Sequence, residues 1–429
     1  MTASPRTTAV TRCQRGAATL TITWLLFFAM GLMAAYAARG VLFEQRAAAN
    51  QYRAAQAFEA AQAGIDWALA QLNQPHRINA QCLPSPHEID TSFRERFVRT
   101  RPDTAQLEPV TWLSGATPVA LQPACVRGSA GWSCHCPSGG PPAIDDESPD
   151  DGLPHPAFTV QFSAEAPAGQ IRITSIGCTS AEGPCRPGST GHPDASARVQ
   201  VVLGLLPGLR VPPHAALTTA GSVDAGTAAL GLHNPDTASG GIAVRAGGSL
   251  LGSALRLTTA SGGATGAAAL THDADLAALR GEQLFAYHFG VDPAGWRTHT
   301  AVQSIDCNSN CTTRVATALE GVGPNRMVSV AGDAQLVGPV TLGSAAQPVV
   351  LVVQGRLTLR GDVTVHGVVY ATDIHWNDSP GGQVHGALIS ASGYQGNGTP
   401  DLHYDADVLR TLQQHTGSFA RVPGSWRDF

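Results

Sequence analysis

Hydrophobic and polar positions divide the chain into three regions of different rhythm. Residues Ala17 to Ala38 form 22 consecutive positions without a charge. As a helix at ~1.5 Å per residue they would span ~33 Å, the thickness of a bilayer core. The helical pattern then continues through "VLFEQRAAANQYRAAQAFEAAQAGIDWALAQLN" to Asn73, with no proline and one glycine. In this second stretch Phe58, Ala61, Ile65, Leu69 and Leu72 recur at three- and four-residue intervals, which predicts one apolar face. The reading is a single helix of ~55 residues and ~80 Å, apolar all round in its first half and one-sided in its second.

The middle region switches to a period of two. "AFTVQFSAEA" from Ala157, "GQIRITSIG" from Gly169 and "SARVQVVLGLL" from Ser196 alternate, with Phe158, Val160 and Phe162 on one side and Ile171 and Ile173 likewise. Turn-rich connections between them predict an antiparallel meander. Residues 74–156 are rich in Pro, Gly and Cys and predict loops, short strands and a disulfide-stitched insertion. The acidic run from Asp145 to Asp151 lacks the spacing and central glycine of an EF-hand loop, so it reads as a solvated loop rather than a calcium site. Leu206-Pro207-Gly208 and Pro212-Pro213 mark a boundary.

The third region is punctuated by glycine. Gly332, Gly338 and Gly343, then Gly355, Gly361 and Gly367, recur at intervals of five or six, with Leu357, Leu359, Val363 and Val365 pointing one way between them. Short strands closed by glycine corners predict a β-solenoid-like stack, a β-sandwich being the alternative. Two helices are expected to interrupt it. One follows Asp273, with Leu276, Leu279, Leu284 and Phe285 on its apolar side; the other follows Asp405, with Val408, Leu409 and Leu412. The fold class is therefore α+β. The expected division is 17–73 helix, 74–210 β head and 213–429 glycine-rich domain.

Composition sharpens this. The chain of 429 residues holds 47 Gly and 29 Pro, only 14% charged residues, and no Lys. A net charge of −5 gives no nucleic-acid footprint. One cysteine, Cys13, precedes the apolar run, and eight follow it: Cys82, Cys125, Cys134, Cys136, Cys178, Cys185, Cys307 and Cys311. An even set beyond a membrane segment points to disulfides in an oxidising compartment, and so to an exported C-terminal part. Cys178–Cys185 and Cys307–Cys311 read as local bridges. Cys82, Cys125, Cys134 and Cys136 can pair in three ways, of which Cys82–Cys136 with Cys125–Cys134 is favoured. Zinc at Cys134-His135-Cys136 is the competing reading, without a second pair at finger spacing.

Little points to catalysis. There is no Gly-x-Ser-x-Gly elbow, no His-Glu-x-x-His and no phosphate loop. His366, His375, His385 and His403 could converge on one coil face around a metal, but rows of polar residues arise in any solenoid. Asp333 and Asp362, each beside a glycine, read as turn residues rather than as the carboxylate cluster of a polysaccharide-cleaving β-helix. The expectation is no catalytic residue, no cofactor and no metal.

The N-terminal residues carry a resemblance. "QRG" followed by "AATLTITWLLFFAMGLMAAYAARG" resembles a type IV prepilin N-terminus, and the stretch through "FEQRAAANQYRAAQAFEAAQAGIDWALAQL" is similar to PilX-type minor pilins. Segments such as "LTTAGSV", "PVVLVVQG" and "GSFARVPGSWRDF" extend the likeness more softly. The resemblance implies a leader of residues 1–16, cleavage by a prepilin peptidase after Gly16, and Ala17 as the N-methylated first residue. Thr21 stands where most type IV pilins have glutamate, a departure shared with the PilX-like branch and with tip pseudopilins. Implied partners are the major pilin, other minor pilins, the prepilin peptidase, the inner-membrane assembly platform and a PilY-type tip adhesin. The implied location is the bacterial inner membrane, N-terminus in and C-terminus out, and then the pilus at the cell surface. The implied role is pilus assembly at or near the tip, with adhesion as a further role. The alternatives are a cleaved signal peptide ending at Ala35-Tyr36-Ala37, a membrane-anchored β-helix enzyme, and the tip pseudopilin of a type II secretion system.

Overall fold

The computed structural model describes residues 17–101, 103–144, 155–187, 189–260, 268–279, 281–307, 309–320 and 326–429. Leader residues 1–16, with Gly16 and Cys13, and the acidic run 145–151 lie outside the described residues. Among those described, one long helix is followed by mostly β structure, so the protein is α+β. The chain divides into two compact units at Gln56 and Ala57.

Helix α1 runs Ala17–Leu72. Its first unit carries large exposed apolar side chains on every side, including Leu20, Trp24, Phe27, Phe28, Met33, Tyr36 and Phe43. It is long and apolar enough to cross a membrane.

The second unit begins with the last four turns of α1, which pack on an antiparallel sheet. The strands Ala157–Glu165, Gln170–Cys178 and Ser196–Pro207 pair in chain order, with Ile173 opposite Phe162 on one side and Val201 on the other. The hairpin of Ala124–Gly128 and Gly131–His135 extends one edge. The opposite edge is closed by the chain's own end: Gly417–Arg421 and Arg427–Asp428 both pair with Ser196–Pro207. The strands Gly417–Arg421 and Arg427–Asp428, expected within the glycine-rich region 213–429, thus lie in the sheet of the head. Covering the edge of Ser196–Pro207 removes a row of unpaired backbone groups.

Residues from Leu217 onward form a stack of parallel strands, fifteen in one sheet system. Each full coil contributes three segments. In one coil these are Leu217–Thr219, Val223–Asp224 and Gly231–Asn234; in the next, Val244–Ala246, Leu250–Leu251 and Arg256–Thr259. The order in space is not the order in the chain. Leu217 stacks on Val244 on one side and on Leu388, from the last coil, on the other. The chain thus enters the stack in its middle and builds outward to Ala269–Leu270. It then passes through helical segments and restarts at the far end with Val302–Asp306. From there it stacks back through Met327–Ala331, Val349–Arg360, Val363–Asn377 and Gln383–Gly396 to meet its own first coil.

This register aligns apolar residues in continuous rows. Val328, Leu351, Val369, Leu388 and Leu217 lie in successive coils, each at most 1% exposed. Leu357, Leu359, Val363 and Val365 are buried in the same core. Gly367 and Gly386 stack on each other with φ of 150° and 139°. A Cβ on Gly367 would lie 1.9 Å from the Val349 carbonyl oxygen, and one on Gly386 would lie 2.1 Å from that of Gly367. Only glycine permits that backbone contact between coils.

The helical segment after Asp273 is two helices rather than one. Asp273 caps Ala274–Ala278 by accepting from the Leu276 N–H at 3.1 Å. Gly281 then adopts φ 59°, outside the helical range, before Gln283–Phe289. The helix after Asp405 forms over Ala406–Gln414, with the Asp405 carboxylate accepting from the N–H groups of Asp407 and Val408.

Candidate assembly segment

Helix α1 changes character at Ala57. Before it every described position but Gln56 is exposed; from it onward Ala57, Ala60, Ala61, Ile65, Ala68 and Leu72 are at most 3% exposed. The docking face is therefore built mainly from small residues. The expected members Phe58 and Leu69 lie at its margin, half-buried. Periodicity read through large side chains passes over an alanine seam, because alanine adds little to a hydrophobic pattern yet lets backbones approach.

Two glycines set that approach. A Cβ on Gly64 would lie 2.2 Å from Ser175 Oγ and 2.9 Å from the Phe158 ring. A Cβ on Gly177, on the facing strand, would lie 2.2 Å from both the Ala57 carbonyl oxygen and the Ala61 nitrogen. Trp67 closes the seam against Phe93 and Phe158, with ring centroids 5.3 and 5.6 Å away. The end of the helix is tied to the strand Gly417–Arg421. Asn73 donates from Nδ2 to the Phe419 carbonyl at 3.0 Å and accepts the Phe419 N–H at 2.7 Å, and Arg421 pairs with Asp66.

Near the start of α1, Thr21 donates its hydroxyl to the Ala18 carbonyl at 2.9 Å, and Thr23 does the same toward Thr19 and Leu20. These intrahelical bonds satisfy hydroxyl groups that sit in an apolar stretch. Ala17 is the first helical residue.

The eight cysteines among the described residues form four disulfides: Cys82–Cys136, Cys125–Cys134, Cys178–Cys185 and Cys307–Cys311. Cys134 and Cys136 go to different partners, which leaves no thiolate pair for zinc. Arg96 organises the largest loop. It donates to the carbonyls of Ile78, Asn79 and Cys136 at 2.6, 3.0 and 3.0 Å and pairs with Asp90 at 3.4 Å.

The histidines stack rather than converge. His366, His385, His403 and His233 occupy one position in successive coils, with ring centroids 4.7, 5.2 and 4.6 Å apart and planes within 18° of parallel. That separation is the spacing of hydrogen-bonded strands, which an in-register stack imposes on identical side chains. His375 lies elsewhere, with Nε2 3.0 Å from Asp373. His233 was missed because its coil is first in the chain. Its signal is a repeated apolar-His pair: Leu232-His233 and Leu402-His403, Val365-His366 and Val384-His385. Among the described residues no group of three or more His, Cys, Asp or Glu has metal-holding geometry. Asp333 sits in a turn and accepts the Arg356 N–H at 2.8 Å, and Asp362 lies in another turn.

Burial lowers the pKa of several imidazoles. The pKa of His288 is pushed down to about 4 by burial, with Arg245 and His214 adding to the effect and its bond to the Val211 carbonyl opposing it. His366 and His403 are shifted down, first by burial and then by neighbouring ladder histidines, against the pull of Asp405 and Asp401 respectively. Each folded-state pKa lies below the unfolded value near 6.5, so the unfolded chain binds more protons in between. Stability should be complete above about pH 6.5 and fall as pH drops toward 4, with His288 alone contributing on the order of 3 kcal/mol. Denaturant unfolding at pH 7.5 and 4.5 checks this; equal stabilities would contradict it.

A long helix, apolar all round in its first half, docks through one face of its second half onto an antiparallel sheet. Residues 15–66 match the family described as PilX N-terminal, so the chain carries that domain at its N-terminal end. No curated protein matches. Among solved structures, the competence-associated pilin ComZ from Thermus thermophilus aligns over 88% of this chain and 98% of its own, at 10% identity and a TM-score of 0.20. At that score the likeness carries no argument.

Proposed function

We propose that the protein is a non-enzymatic minor pilin of PilX type that assembles at or near the tip of a type IV pilus. The observation that carries this reading is the two-part helix: one half exposes apolar side chains on every side and the other is docked on the head. The exposed half suits first a bilayer and then the helix-packed core of a filament. In this reading the prepilin peptidase cuts between Gly16 and Ala17, Ala17 is methylated, and the assembly platform extracts the subunit.

Thr21 favours the tip. A type IV pilin glutamate at this position is thought to neutralise the N-terminal ammonium of a neighbour, and an unpaired charge in that environment costs several kcal/mol. The Thr21 hydroxyl is engaged with the Ala18 carbonyl and supplies no negative charge. A subunit at the end of the filament has no neighbour that requires one. The large stack of coils suits an end for the same reason, since its bulk is easier to place there than within a packed array. Major pilin, other minor pilins and a PilY-type adhesin are the partners this position brings, with adhesion as the further role.

Gold labelling of the glycine-rich domain on sheared pili tests the position. Label confined to filament ends is expected. Label spread along the shaft at a stoichiometry near that of the major pilin would rule the tip position out.

A further inference from the structure

The head and the stack meet at a cleft of about 270 Å³ whose walls carry more positive charge than they neutralise. Its floor is built by the short helix Phe93–Phe97, which starts in a capping box: the Glu95 carboxylate accepts the Ser92 N–H and hydroxyl at 3.0 and 2.8 Å. That turn places Arg94 inward, 4% exposed. Arg94 donates from Nη1 to the Gly417 carbonyl at 3.2 Å, and its guanidinium carbon lies 4.7 Å from the Phe419 ring centroid. Among the described residues its Nη2 is buried with no hydrogen-bond partner. Across the cleft, just before a stack strand, Arg326 is half-buried, and among the described residues its Nε is also buried without a partner.

The other ionisable groups lining the cleft are Arg99, His415 and Glu95. Arg99 is shared with Glu108 at 3.1 Å, outside the cleft. Among the described residues of the lining Glu95 is the one carboxylate, and one of its oxygens is committed to Ser92. Burial pushes the Arg94 guanidinium down to about 10, with Glu95 opposing, and His415 is pushed down by burial and by Arg94. Two inward guanidinium groups with unpartnered N–H donors are costly in a folded protein unless something accepts from them. Paired, planar N–H donors match the oxygens of a carboxylate or phosphate. The volume falls just below the range of ordinary small-molecule sites, which limits the occupant to a small acid.

We propose that this cleft binds a small oxyanion, a carboxylate or phosphate carried on a molecule no larger than a sugar acid, seated between Arg94 and Arg326. The site is independent of the pilus reading, because it needs only the contact between head and stack. The test is calorimetric titration of the full chain in detergent, at fixed ionic strength, with inorganic phosphate, sodium D-glucuronate and neutral D-glucose. Saturable binding of at least one anion and none of glucose is expected. Tighter binding of glucuronate than of phosphate would assign the site to sugar acids, and the reverse order to phosphate groups. Arg326→Ala should weaken binding at least about tenfold, as expected for loss of a charge-assisted contact, and Arg326→Lys should retain part of it. Arg360→Ala, at an exposed arginine paired with Asp378, should leave it unchanged. Because Arg326 is only half-buried, its variant is expected to fold, which a thermal melt verifies. No saturable heat with either anion, or an equal loss in Arg360→Ala, would overturn the proposal.

Discussion

Replacing Gly177 by leucine should undock the second half of α1 from the head. A Cβ at this position would stand 2.2 Å from two backbone atoms of the helix, at Ala57 and Ala61, so no side-chain rotation can relieve it. Overpacking a well-filled core costs 1–3 kcal/mol when side chains can adjust; here the helix itself must move, and we expect about 3 kcal/mol or more. Hydrogen exchange is the discriminating readout. Protection should fall across Ala57–Leu72 while the central stack strand Val349–Arg360 keeps its own, because the two belong to separate hydrophobic clusters. Gly40→Ala, at a helical position with nothing within 4 Å, should leave both unchanged. Unaltered protection of Ala57–Leu72 in Gly177→Leu would show that the seam does not depend on close approach.

Removing the Cys82–Cys136 disulfide should be the other large loss. It closes a loop with a sequence separation of 54, the longest of the four bridges. In the chain-entropy model a loop of this length contributes about 4 kcal/mol, against about 2–3 kcal/mol for the short loops at Cys178–Cys185 and Cys307–Cys311. Both sulfurs are buried, and the loop backbone is held by Arg96 through three carbonyls. A buried guanidinium that loses those acceptors adds to the penalty. The double variant Cys82→Ala with Cys136→Ala should unfold at distinctly lower denaturant concentration than Cys307→Ala with Cys311→Ala. Equal midpoints would contradict the ranking.

Where the physical signal was local, the sequence carried it. The apolar run, the long helix, the three alternating strands and the aspartate caps at Asp273 and Asp405 each rest on neighbouring residues. What it hid came from distance along the chain. The stack could not be read as a regular period, because its first coil in sequence is not its end in space, and Leu217 must wait for Leu388 to find one of its neighbours. His233 was lost from the histidine row for the same reason, and the pairing of Gly417–Arg421 with the head belongs to the same class of long-range contact. The helix break at Gly281 was a local miss, since apolar spacing continued across a glycine that takes a left-handed conformation. At the docking seam, large apolar residues drew attention from the alanines and Gly64 that make the contact. Arg94 gave no signal at all, because a buried guanidinium is recognised only once the groups around it are in place.

The central claim is that α1 enters a filament as the N-terminus of a processed subunit. It is tested most directly by mass spectrometry of the N-terminal peptide from protein recovered in sheared pili. The account predicts a peptide beginning at Ala17 and carrying an N-methyl group, and loss of that species when Gly16 is replaced by a bulky residue. A mature N-terminus after Ala37, or an uncut chain retained in the membrane and absent from pili, would contradict it.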